Sequence, residues 1–260
     1  MKLQQSSQES PQRNIRLVLE YDGSNYVGWQ RQINGISIQE KVEEALAVQL
    51  GTPVRVTAAG RTDAGVHALG QVVNFHTSSE LTPRAIHRGA IRHLPRDITI
   101  VAADEVPVTF NARRDARLRW YRFHILNRSI APAVGANFLT HVPFPLNPDK
   151  MGEAAARFEG HHDFSAFRAV TCTAVRTDLT MQRPGIRLLP DGLIIMDFRC
   201  RSFLQNMVRI MAGTIVACGR GRLAATEISE MLKTGKRRNE AVTLPPNGLF
   251  LYRVHYTGED

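Results

Sequence analysis

A chain of 260 residues with 43% apolar side chains can bury one large core or two smaller ones, which excludes a wholly disordered protein. Thirty-three Lys and Arg against 24 Asp and Glu leave a formal charge of +9, an excess suited to a polyanionic partner, although a solvated basic surface gives the same count. Cys172, Cys200 and Cys218 are far apart, form no C-x-x-C pair and are odd in number, which argues against a disulfide framework or a zinc ribbon and for a reducing compartment. No apolar run approaches the roughly 20 residues of a membrane-spanning helix, so no membrane is expected and the cytoplasm is the default location.

In chain order, residues 1–13 are polar, rich in Gln and Ser, and read as a disordered tail rather than a signal peptide. Ile15, Leu17, Leu19 and Tyr21 alternate as a strand. Ser37 with Glu40 has the spacing of a capping box and opens a helix with Ile38, Val42, Ala45, Leu46 and Leu50 on one face, closed by Gly51 and Pro53. Strands near 54–58 and 71–77, a helix from Thr82-Pro83 carrying Ile86, Ala90, Ile91 and Leu94, and a strand near 98–105 complete a β-α-β-β-α-β half. The second half is expected to repeat that order. It has a strand near 117–126, a helix capped by Asn147-Pro148, strands near 174–183 and 193–200 about a turn at Asp191-Gly192, a helix near 203–218, a short helix near 226–234 and a last strand at 249–254. Leu204, Met207, Val208, Met211, Ile215 and Cys218 form a helical stripe that reads as core.

Between the second and third strands lies Ala59-Gly60-Arg61-Thr62-Asp63-Ala64-Gly65-Val66-His67-Ala68, which presents a carboxylate and a guanidinium on a glycine-flanked loop. Gly60 and Gly65 allow backbone conformations that a Cβ forbids and let a large ligand approach the main chain. Asp63-Ala64-Gly65 could also serve only as a turn. Arg209 falls on the polar side of the 203–218 helix with Ser202 and Asn206, where it is either a solvated arginine or the partner of an acid. Strand alternation puts Tyr121, Phe123 and Ile125 on one face with Arg117 and Arg119, and Trp120 and Arg122 on the other. Tyr121 is then a half-buried sheet aromatic or a stacking platform. Arg113, Arg114, Arg117, Arg119 and Arg122, interleaved with aromatics, suit phosphate binding, with a solvated basic edge as the alternative. His161-His162 has no second cluster at ligand spacing, so no metal is expected.

Several segments, in the same order, resemble the tRNA pseudouridine synthase A family. They are Glu20 to Gln32 (Glu-Tyr-Asp-Gly-Ser-Asn-Tyr-Val-Gly-Trp-Gln-Arg-Gln), Ser37 to Lys41, the Asp63 loop, Gly70 to Val73, Trp120 to Phe123, Asp163 to Arg168 and Met207 to Arg209. The resemblance spans roughly residues 15 to 256, and ordered matches of that kind are far more specific than one motif.

It implies an α+β fold of two βαββαβ subdomains, ferredoxin-like and RNP-like. Their mainly antiparallel sheets, residues 14–112 and 113–260, would pack about a central basic cleft. It also implies an isomerase converting uridine to pseudouridine on the 3′ side of the tRNA anticodon stem-loop, acting as a homodimer without metal or nucleotide cofactor. Asp63 would be the nucleophile and Arg209 its partner, Tyr121 would stack on the target base or take part in proton handling, and Arg61 would fill the space of the extruded base or hold the adjacent phosphate. Arg31, Arg113, Arg117 and Arg119 are the expected RNA contacts. The alternatives are a non-catalytic basic RNA-binding module and, more weakly, a metal-dependent hydrolase built around the histidines.

Overall fold

Alternation of apolar residues builds β1 (Arg13–Tyr21), which buries Ile15, Leu17, Leu19 and Tyr21 as expected. The structure, a computed structural model, describes residues 12–257. Most of the expected N-terminal tail lies outside the described residues. Arg13 already belongs to the strand, where its guanidinium pairs with Glu105 and donates to the carbonyls of Ser79 and Leu81.

α1 (Ile38–Leu50) starts where Ser37 Oγ accepts from the Glu40 amide at 3.2 Å, and it ends at Gly51 in the left-handed region. β2 is only Thr57–Ala58, shorter than the expected 54–58. β3 (His67–Thr77) begins four residues before the expected position, so the Asp63 loop passes directly into it. α2 (Pro83–Ile91) is capped by Thr82, and β4 (Ile98–Val106) closes the β-α-β-β-α-β order of this half.

The second half departs further from expectation. β5 (Leu118–Asn127), α3 (Pro148–Ala156) with its Asn147 cap, β10 (Leu193–Cys200), α5 (Ala225–Thr234) and β11 (Leu249–His255) fall where the pattern put them. Three short strands escaped the pattern: β6 (Thr140–Val142), β7 (Gly160–Asp163) and β9 (Gly185–Leu188). Runs of three or four residues carry too little periodicity to be seen. β8 is limited to Asp178–Met181. α4 (Met207–Gly219) starts four residues later than expected because Asn206 sits in the left-handed region at φ 61°, which ends the helix there. Every residue of α4 except Arg209 is buried, as suits a helix apolar all round.

Among the described residues the strands form one open, mostly antiparallel sheet in the order β4-β1-β3-β11-β5-β10-β8-β7, with five α-helices, an α+β architecture. It is one continuous sheet where two were expected. The cause is β11, which inserts between the halves. It pairs parallel with β3 (Phe250 with His67, Leu251 with Ala68) and antiparallel with β5. A closing strand shared by both halves leaves no unpaired edges to separate them.

Candidate active site

The Asp63 loop is rigid because each of five consecutive carbonyls meets a donor from a different place. Ala59 O accepts from Arg119, Gly60 O from Gln71 Nε2 (2.7 Å), Arg61 O from the Tyr121 hydroxyl (3.4 Å), Thr62 O from the Trp29 amide (3.0 Å) and Asp63 O from the Val66 amide (3.1 Å). The buried Tyr21 and Thr62 hydroxyls share a further hydrogen bond at 2.8 Å. Gly28, at φ +107°, lies so close to the loop that a Cβ there would stand 2.7 Å from Thr62 O. Gly65 takes φ +76° against Pro246, so its expected conformational freedom is used, whereas Gly60 has ordinary φ and room for a Cβ.

So held, the loop aims Asp63 at the N-terminus of α4. Asp63 Oδ2 lies 3.7 Å from Arg209 Nη1, and the Asn206 backbone amide faces the same carboxylate and favours its charged form. Arg209 is oriented by its own bonds, Nε to Leu244 O at 2.8 Å and Nη1 to Asn206 Oδ1 at 3.0 Å. The amide end of a helix dipole and a guanidinium therefore face one carboxylate. Burial outweighs both, and the Asp63 carboxyl is raised above the usual carboxylate range. Tyr121, edge-on to Phe203 at 5.0 Å, is pushed well above the usual phenol range by burial, with Tyr21 and the Asp63 charge adding to it. It stays protonated at neutral pH.

These groups line a cleft of about 1000 Å³ whose walls include Trp29, Arg61, Arg113, Phe203 and Asn206. The volume is that of a small-molecule or single-nucleotide pocket. The expected residues Asp63, Arg61, Tyr121 and Arg209 thus converge on it from the loop, β5 and α4. Arg61 is exposed on the cleft wall, and its guanidinium has no hydrogen bond or ion pair among the described residues. Arg113 is also exposed there.

The other expected RNA contacts are placed differently. Arg31 is exposed outside the cleft and pairs with Glu40 (3.3 Å) and Glu43 (3.8 Å). Arg117 is exposed beyond the cleft, donating to Thr257 Oγ1 at 3.1 Å. Arg119 shares the face of Tyr121, as alternation requires, but it is buried and its guanidinium turns inward onto backbone carbonyls. The rings of His161 and His162 bond Thr180 Oγ1 and Glu159 O.

Sequence patterns missed Asn206 and Gln71. An Asn directly before an apolar helical run is a signal for a helix start, and it was available at 206. Gln71 lies in the family-like segment Gly70 to Val73, but periodicity gave it no role, because a buried amide inside a strand has no distinguishing pattern.

A rigid acidic loop facing an arginine-bearing helix terminus, in a basic cleft over an open sheet, defines a class of RNA-modifying enzyme by its family model. The model for tRNA pseudouridine synthase matches residues 17–114 and 154–257, segments that contain both Asp63 and Arg209. The chain belongs to this family. It is 44% identical over 246 residues to the tRNA pseudouridine synthase A of Pelobacter propionicus, covering 94% of this chain and 100% of that protein. The protein of the same name from Geotalea daltonii is 45% identical over 244 residues, with the same two coverages. That of Thermoanaerobacter pseudethanolicus is 37% identical over 249 residues, again covering 94% and 100%.

Proposed function

We propose that this chain isomerises uridine to pseudouridine in the anticodon stem-loop of tRNA, on its 3′ side, with Asp63 as the nucleophile. The observation that carries this is the Asp63 carboxylate in the cleft, held against Arg209 and facing the Asn206 backbone amide by a loop whose carbonyls from Ala59 to Asp63 are all hydrogen-bonded. The reaction breaks the bond from ribose C1′ to N1, turns the uracil, and joins C1′ to C5. N1 gains a proton and C5 loses one, so the balance closes without a cofactor. An ionised carboxylate can form the transient covalent link, to the ring or to the sugar, without a general base to activate it. Arg209 holds Asp63 charged and aimed against the cost of burial.

A uridine in a helical stem is out of reach until it is extruded. Arg61, exposed at the cleft wall, is suited to fill the vacated position, and the Tyr121 ring to stack on the base. Arg31, Arg113 and Arg117 are exposed and suited to phosphates along the approach. The halves 14–112 and 113–260 act as two subdomains flanking the cleft, and two chains form a homodimer on one tRNA. Light scattering that returns only a 29.1 kDa monomer would remove the dimer. No helix among the described residues is long and apolar enough to cross a membrane. The cytoplasm, where tRNA is met, is the location proposed.

The deciding experiment is tritium release from C5-labelled uridine in tRNA by wild-type and Asp63→Asn protein. Asn keeps the size and the turn preference of Asp but not the charge. Turnover should vanish while tRNA affinity stays within about tenfold, roughly 1.4 kcal/mol. Near-normal turnover by Asp63→Asn would overturn the mechanism. No turnover by folded wild-type protein that still binds tRNA would favour a non-catalytic binding module.

A further inference from the structure

Two of the donors that hold the Asp63 loop are buried side chains, Arg119 at the wall of the cleft and Gln71 on β3, whose nitrogens bond groups of the protein itself. Arg119 is 8% exposed, and its guanidinium meets carbonyls from three separate segments. Nε (2.9 Å) and Nη2 (2.5 Å) donate to Ala59 O at the entry of the Asp63 loop, Nη2 donates to Arg113 O at 2.8 Å, and Nη1 donates to Arg201 O. Arg201 opens the loop that leads to Asn206 and Arg209. A single planar fork therefore ties both sides of the acid–arginine pair to one another. A lysine ammonium lacks that fork.

Gln71 performs the adjacent task. It is fully buried on β3, and its Nε2 holds Gly60 O at 2.7 Å, with a longer contact of 3.5 Å to the Tyr21 hydroxyl. Its Oε1 is buried with no hydrogen-bond partner among the described residues. A buried acceptor left unsatisfied costs stability. The side chain is thus explained by its bond to the loop and not by a gain in stability.

We propose that Arg119 and Gln71 are positioning residues of the isomerisation, fixing the backbone beneath Asp63 so that its carboxylate stays against Arg209 and the Asn206 amide. This rests on the assignment of Asp63 as nucleophile. It removes Arg119 from the phosphate contacts, because every nitrogen of its guanidinium is already committed to the main chain.

The test uses the full chain with tritiated tRNA and the variants Arg119→Lys and Gln71→Met, with the wild type measured in parallel. At saturating tRNA, kcat should fall by about 10- to 100-fold in each variant, the scale expected for a misplaced reacting group. The tRNA Kd should stay within about twofold of wild type. The acid limb of the pH–kcat profile should move to higher pH as Asp63 loses its contact with Arg209. Weaker tRNA binding with a shallower salt dependence and unchanged kcat would make Arg119 an RNA ligand and overturn the inference. So would a kcat that falls only in step with the folded fraction, with an unshifted pH profile. If Arg119→Lys gives no cooperative melt, Gln71→Met decides alone, since it removes the orphaned acceptor together with the donor. An active wild type with unaffected variants defeats only this inference, whereas an inactive wild type defeats the proposed function itself.

Discussion

Replacing Arg209 by Gln removes the charge that faces Asp63 and keeps a polar side chain of similar reach. At 3.7 Å, two unit charges in an effective dielectric of about 20 attract by about 4 kcal/mol. The side chains of Arg209 and Asp63 are 16% and 28% exposed, and solvent screening reduces this to about 2 to 3 kcal/mol, roughly 30- to 150-fold in the ionisation equilibrium of Asp63. The sign follows from the present state of the carboxyl. Burial already raises it above the usual range, Arg209 and the Asn206 amide lower it, and removing Arg209 raises it further. The ionised fraction at a given pH must fall. Tritium release at saturating tRNA, followed from acid to alkaline pH, should therefore show its largest deficit at low pH and partial recovery as pH rises. Arg209→Lys, which keeps the charge but cannot hold both Asn206 and Leu244, should retain measurable turnover. An Arg209→Gln protein with wild-type rates and an unshifted acid limb would refute this account of the pair.

Because the Asp63 carboxyl is raised in the folded chain, its ionisation opposes folding. The neutral Asp63→Asn protein should melt higher than wild type at pH 7, and the difference should close below about pH 3.8, the ordinary value, when followed by circular dichroism. Gly28→Ala would set a Cβ 2.7 Å from Thr62 O at a φ of +107°, so we expect a loss of about 1 to 3 kcal/mol in urea unfolding, together with reduced turnover as the Asp63 loop shifts. Asp197, outside the cleft, accepts from Trp120 Nε1 (2.7 Å), Arg122 Nε (2.8 Å) and Arg187 Nη2 (3.1 Å), and Asp197→Ala should cost about 3 kcal/mol in urea with normal turnover per folded molecule. Burial pushes the Asp197 carboxyl up, but its bonds to Arg122 and Trp120 prevail and the net direction is down, so the deficit should be full at neutral pH and shrink as pH falls through the folded-state value.

Local chemistry made much of this protein legible from its sequence. Ser37, Thr82 and Asn147 cap their helices, and the alternation of Ile15 to Tyr21 and of Arg119 to Ile125 sets which side chains share a face. Those signals act within a few residues. The ordered family segments singled out Asp63 and Arg209 as candidates in the same way, as residue types in a fixed context, and the structure brings the two within 3.7 Å.

What the sequence left open depends on contacts between distant segments. Parallel pairing of β11 with β3, which turns two halves into one sheet, joins residues about 180 apart and leaves no mark in either strand's pattern. Strand alternation put Arg119 on the face of Tyr121. Only tertiary packing turned its guanidinium inward, because the carbonyls of Ala59, Arg113 and Arg201 meet at that point and a buried cation must find acceptors. The same holds for Asn206. Its left-handed backbone turns an amide toward a carboxylate 143 positions earlier in the chain, and the value of that amide exists only once the two loops meet.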